Sequence, residues 1–104
     1  MRIAVSAKGS TPDSEVDPRF GRCAWFVIYD TKSGEFESID NSASTTAASG
    51  AGVQTASRVT QAGVNRVVTG QCGPKATRGL ESSGIEIVTG ASGTVREALG
   101  MESR

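Results

Sequence analysis

The chain has 104 residues and no net charge, eleven basic residues standing against eleven acidic ones. That is a little under one typical domain length of ~150 residues, so a multidomain enzyme is excluded. The balanced charge also lacks the broad basic footprint of a nucleic-acid binder. Histidine is absent, which removes serine-histidine triads, histidine general bases and histidine-ligated zinc or haem.

With 13 glycines, five aromatic residues and two leucines, the core has to be built from valine, isoleucine and alanine, a composition that suits tightly packed α/β layers. Ile3 to Ala7 reads as a first strand, followed by a long loop that begins at the turn formers Lys8 to Asp13. Ala24 to Tyr29 is continuously apolar, as in a strand covered on both faces. The turn Thr31-Lys32-Ser33-Gly34 leads into the more polar Glu35 to Asp40, so the two strands form a hairpin with the polar one at the sheet edge. Asn41 to Gly52 holds no large side chain and no charge, and is expected to be mobile without a ligand.

Val53, Ala56, Val59 and Ala62 recur every three residues and predict a helix that stops at Gly63. Arg66 to Thr69 is a fourth strand, Pro74 opens a second helix that runs to about Ser83 before Gly84, and Ile85 to Thr89 is a fifth strand. Thr94 and Glu97 form a capping box that starts a short last helix ending at Gly100.

Val68-Thr69-Gly70-Gln71-Cys72-Gly73 and Val88-Thr89-Gly90-Ala91-Ser92-Gly93 share the pattern V-T-G-x-x-G, each joining a strand to a helix. The order is therefore β-β-β-α-β-α-β-α. Right-handed crossovers set the fourth and fifth strands parallel to the first, with the hairpin on its other side and helices on both faces. The chain leaves the first and fourth strands in opposite directions, and α/β sheets place ligands beyond such a switch point. Three loops meet at that edge: Lys8 to Arg22, Gly70 to Gly73, and Gly90 to Gly93.

Glycine-rich turns and helix N-termini supply N-H groups that favour an anion, and Arg19, Arg22, Lys75 and Arg78 add charge. There is no G-x-x-x-x-G-K-[ST] loop for nucleotide phosphates and no full dinucleotide fingerprint. Cys23 and Cys72 lie 49 positions apart, which is neither a redox pair nor a four-thiolate set, yet the topology brings both to this edge. Cys23 begins the most apolar strand and is expected to be buried. Cys72 precedes a helix start that favours a thiolate, which makes it the better metal ligand. No apolar run is long enough for a signal peptide or a membrane span, so a soluble cytoplasmic protein is expected.

Asp17-Pro18-Arg19-Phe20-Gly21-Arg22 after a first strand, Gly50-Ala51-Gly52 opening a helix, Thr69-Gly70-Gln71-Cys72-Gly73-Pro74-Lys75-Ala76, and Gly84-Ile85-Glu86-Ile87 occur in this order along nearly the whole chain. Together they resemble the dinitrogenase iron-molybdenum cofactor biosynthesis family. The resemblance implies a three-layer α/β/α, ribonuclease-H-like fold with a mixed five-stranded sheet. It also implies one domain over residues 1–104 that binds or carries an anionic metal-sulfur cluster, of molybdenum-copper or iron-molybdenum type, or a precursor. A cluster donor or acceptor protein would be the partner, with no nucleic acid and no membrane. The family's helix-opening loop often carries histidine where this chain has Ser49, which leaves thiolate ligation or electrostatic capture.

The first strand has no carboxylate to hold the divalent metal a ribonuclease H needs, and no nucleophile-base pair is visible, so no enzyme activity is expected. The expected cluster site comprises Arg19, Arg22, Gly50, Gly52, Gly70, Gly73, Lys75 and Gly93, with Cys72, and less so Cys23, as metal ligand. The alternative is a metal-free small-anion or partner-binding regulatory domain.

Overall fold

The computed structural model describes residues 1–44 and 51–101. In chain order these form β1 (Arg2–Ala7), β2 (Trp25–Asp30), β3 (Phe36–Asp40), a 3-10 turn (Ser42–Ser44), α1 (Ala51–Gln61), β4 (Arg66–Val68), α2 (Pro74–Ser82), β5 (Glu86–Val88) and α3 (Val95–Ala98). The strands make one mixed sheet in the order β3-β2-β1-β4-β5. β1 pairs antiparallel with β2 and parallel with β4, and β4 pairs parallel with β5. The fourth strand therefore lies beside the first, as the sequence pattern predicts.

The register explains why Ile3 to Val5 of β1 and the middle of β2 are apolar at every position. Ala4 faces Ile28 on one side and Val67 on the other, while Val5 faces Val27 and Val68. Because side chains alternate along a strand, these two rows point to opposite faces. Ala4, Phe26, Ile28 and Val67 pack with Ala56 and Val59 of α1 and with Ala76 and Leu80 of α2. Ile3, Val5, Ala7, Val27 and Val68 pack with Val16 of the β1-β2 loop and Val95 of α3. The central strands are buried on both faces, and the second face is closed by a loop and a four-residue helix.

The buried stripe of α1 is rotated from the expected one. Ala51, Thr55, Ala56 and Val59 are buried, whereas Val53 is 52% exposed. A period of three read from Val53 drifts off a face that repeats every 3.6 residues, and Thr55 takes the inward position because its hydroxyl finds partners there. Gly63 and Gly84 both have positive φ, at 75° and 77°, and stop α1 and α2 in the left-handed conformation expected of them. The capping box is present: Glu97 N donates to Thr94 Oγ1 at 3.2 Å and Thr94 N to Glu97 Oε1 at 2.9 Å.

Of the segment expected to be mobile, residues 45–50 lie outside the described residues. Its first residue, Asn41, is fully buried. Among the described residues no helix is long and apolar enough to cross a membrane.

Candidate anion-binding cleft

The long β1-β2 loop is fastened to the sheet before it reaches the site. Val16 N donates to Gly93 O at 2.8 Å and Asp17 N to Ser6 O at 2.9 Å. The buried Ser6 hydroxyl donates to Asp17 O at 2.6 Å and pairs with the Thr69 hydroxyl at 2.7 Å. Phe20 then plunges into the core, 1% exposed, and meets Phe26 edge to face with ring centroids 5.4 Å apart, a favoured aromatic geometry. This anchor fixes the next two residues, Gly21 and Arg22, against the start of α1.

The N-terminus of α2 and the first described residues of α1 converge there. A Cβ on Gly21 would stand 2.9 Å from Gly52 Cα, and one on Gly52 would stand 3.3 Å from Ala76 Cβ, so the first turns of α1 and α2 are neighbours across a glycine contact. α2 starts with Gly73 as N-cap and Pro74 as first helical residue, and no side chain caps it. The first-turn N-H groups of a helix lack intrahelical partners and carry the positive end of its dipole. Beside them lies a cavity of about 430 Å³ lined by Gly21, Arg22, Ala51, Gly52, Val53, Gly73, Pro74, Lys75 and Ala76. Its charged lining residues are Arg22 and Lys75, both cationic. A neighbouring groove of about 300 Å³ between α1 and α2 has Lys75 as its one charged lining residue, which makes the cleft the stronger anion site.

Of the residues expected at the site, the structure brings together Arg22, Gly52, Gly73 and Lys75. Gly50 lies outside the described residues. Arg19, Gly70, Gly93 and Cys72 do not line the cleft, each for a physical reason. Arg19 is turned back on the buried Asp17, its Nε 3.2 Å from Oδ1 and a terminal nitrogen 3.3 Å from Oδ2, and the hydrogen bond and charge of Asp17 hold the guanidinium above its ordinary pKa. Gly70 is a packing point: a Cβ there would stand 2.6 Å from Pro18 Cα and 2.8 Å from Pro18 O.

The three expected loops do meet, but their N-H groups bond to one another. Gln71 N donates to Pro18 O, Phe20 N to Gln71 O, Gly90 N to Gly70 O and Ala91 N to Thr69 O. Gly93 sits under residues 15 and 16, on the α3 side of the sheet. The candidate anion site is thus displaced from the turns themselves to the cleft between residues 21–22, the head of α1 and the start of α2.

The two cysteines are free. Cys23 is fully buried, its Sγ 3.4 Å from Phe20 O, and desolvation pushes its thiol up to about 12, which disfavours the thiolate. Cys72 is partly buried and packs against the same core. Among the described residues no group of three or more His, Cys, Asp or Glu side chains is placed to hold a metal ion. Sequence reasoning missed Val53, whose exposure at the head of α1 only the helix phase reveals.

Residues 1–101 match the family described as dinitrogenase iron-molybdenum cofactor. An uncharacterised protein of Methanocaldococcus jannaschii is 30% identical over 102 residues, covering 95% of this chain and 82% of that protein. The apo form of the orange protein from Desulfovibrio gigas is 43% identical with a TM-score of 0.91, over 95% of this chain and 83% of that one. A NifB-like protein from Thermotoga is 31% identical with a TM-score of 0.83, over 95% and 84%. The mixed five-stranded sheet has the orange protein fold, and the chain belongs to the dinitrogenase iron-molybdenum cofactor family.

Proposed function

We propose that residues 1–104 act as one domain that binds and carries an anionic metal-sulfur cluster, or its precursor, as cargo in the cytoplasm, without catalysing a reaction. The observation that carries this is the cleft itself, where the start of α2, Arg22 and Lys75 face one cavity of about 430 Å³. A multiply charged soft anion loses its hydration on entering such a cavity. Aligned N-H donors and fixed cations offset that loss.

The donor set fits capture of a preformed anion better than direct metal bonding. Histidine is absent, Cys23 is buried, and Cys72 alone is far short of a coordination set. Family membership supports cargo of iron-molybdenum type, and the orange protein likeness supports a molybdenum-copper alternative. A carrier has to receive and release its load, so a cluster donor or acceptor protein is the implied partner.

The test is reconstitution with tetrathiomolybdate and copper or iron salts, then gel filtration, metal analysis and visible spectroscopy. The wild type is expected to elute coloured and metal-loaded. Arg22→Ala/Lys75→Ala should elute colourless, whereas Arg19→Ala, Cys23→Ser and Cys72→Ser should keep the load. Loss in Cys72→Ser alone would replace electrostatic capture by thiolate ligation. A wild type that never takes up metal would overturn the cluster reading in favour of a metal-free anion or partner-binding domain.

A further inference from the structure

Behind the cleft lies a buried polar group that neither the sheet nor the helices need for their own hydrogen bonding. Asn41, at the end of β3, is fully buried. Its Nδ2 donates to Cys23 O at 2.9 Å and its Oδ1 accepts from Arg58 of α1. The amide orientation follows from its partners: a guanidinium can only donate and a carbonyl can only accept, so Oδ1 must face Arg58 and Nδ2 must face Cys23. The Thr55 hydroxyl, also on α1 and fully buried, lies 3.3 Å from Gly21 O and 3.4 Å from Asn41 Oδ1.

One side-chain amide thus fastens two sides of the cleft to each other. Gly21 and Arg22 line one side, the head of α1 a second and the start of α2 a third, and Asn41 with Thr55 cross-links the 21–23 stretch to α1. A group held within a few tenths of an ångström by such supporting contacts discriminates ligands by size, and a loose one does not. We infer that Asn41 is a positioning residue that holds residues 21 to 23 on α1, fixing where Gly21 and Arg22 stand in the cleft, and thereby selects the size of the anion the cleft accepts. This rests on the cargo reading of the cleft.

Asn41→Asp keeps the shape and the Arg58 partner but sets an acceptor against Cys23 O. Thr55→Val removes the hydroxyl from the same cross-link without changing its outline, and Thr55→Ser restores it. The probes are two tetrahedral dianions of different size, molybdate and tetrathiomolybdate, titrated calorimetrically into each folded variant. The ratio of their dissociation constants is expected to move roughly tenfold toward unity in Asn41→Asp and in Thr55→Val, the scale of one lost buried hydrogen bond.

Thr55→Ser is expected to keep the wild-type ratio. General destabilisation would weaken both ions alike and leave the ratio where it was. Binding by the wild type with an unchanged ratio in both variants overturns the positioning role and leaves the cargo reading standing. A wild type that binds neither ion overturns both.

Discussion

Gly21 and Gly52 meet backbone to backbone: a Cβ on Gly21 would lie 2.9 Å from Gly52 Cα and 3.0 Å from Gly52 N. Neither atom belongs to a flexible side chain, so the contact has no room to give. It brings the loop that carries Arg22 onto the first turn of α1, and the cleft exists because of it.

Gly21→Ala is therefore expected to destabilise the protein by about 1–3 kcal/mol, as overpacking does, and to lower the melting temperature by roughly 4–8 °C for each of those kcal/mol. Thermal denaturation followed by circular dichroism measures it. Gly73 is the internal control, because a Cβ there meets nothing within 4 Å and its φ is an ordinary −66°. Gly73→Ala is expected to stay within about 1 kcal/mol of the wild type. Equal losses in the two variants would show the glycine contact to be unimportant.

Gly70→Ala tests the packing role of the turn after β4. A methyl there would stand 2.6 Å from Pro18 Cα, and relief requires parting Gln71 N from Pro18 O and Phe20 N from Gln71 O. A loss of at least ~1 kcal/mol in urea denaturation is expected, with an unchanged m-value. Wild-type stability in this variant would return Gly70 to the list of ligand-facing glycines.

The cysteines should behave oppositely toward alkylation. In native protein at pH 8, mass spectrometry is expected to find iodoacetamide on Cys72 and none on Cys23, with both labelled after unfolding. The raised Cys23 value also makes a stability prediction. The folded thiol titrates at about 12 against an ordinary value of 9.0, so its contribution is fully present below pH 9. It is lost as pH rises from 9 toward 12, where the unfolded chain has released the proton and the folded chain still holds it. Cys23→Ala should show a shallower fall of stability across that window than the wild type.

Electrostatic capture predicts salt dependence. Raising ionic strength from ~0.01 to ~0.15 M shortens the Debye length from ~30 to ~8 Å, and the tetrathiomolybdate dissociation constant is expected to rise with it. In Arg22→Ala/Lys75→Ala the slope should flatten, while Arg19→Ala should keep it, because Arg19 is neutralised by Asp17. A slope that Arg19→Ala alone removes would move the anion to the Asp17 side of the loop.

Local chemistry fixed much of the outline before any coordinates. The run Ala24 to Tyr29 is apolar at every position because both faces of β2 are covered, Pro74 opens α2 where its missing N-H costs nothing, and Gly63 and Gly84 stop helices because each sits at positive φ. These features depend on a residue and its immediate neighbours, so the sequence alone determined them, along with the strand order that follows from right-handed crossovers.

The exact membership of the cleft is a different kind of fact. The spacing of Arg19 and Arg22 suggests two equivalent cations, but the burial of Asp17 beside Arg19 withdraws one of them from the cleft. Gly52 and Gly70 look alike in sequence as well, yet one lies under a helix start facing a cavity and the other under Pro18. Asn41 read as part of a bland small-residue stretch, and only the meeting of β2, β3 and α1 gives its amide partners on the 21–23 stretch and on α1. Apart from the Asp17–Arg19 pair, two positions apart, contacts between residues 14 to 52 positions apart decide these roles, and no local pattern encodes which donors a fold will leave open and which it will consume.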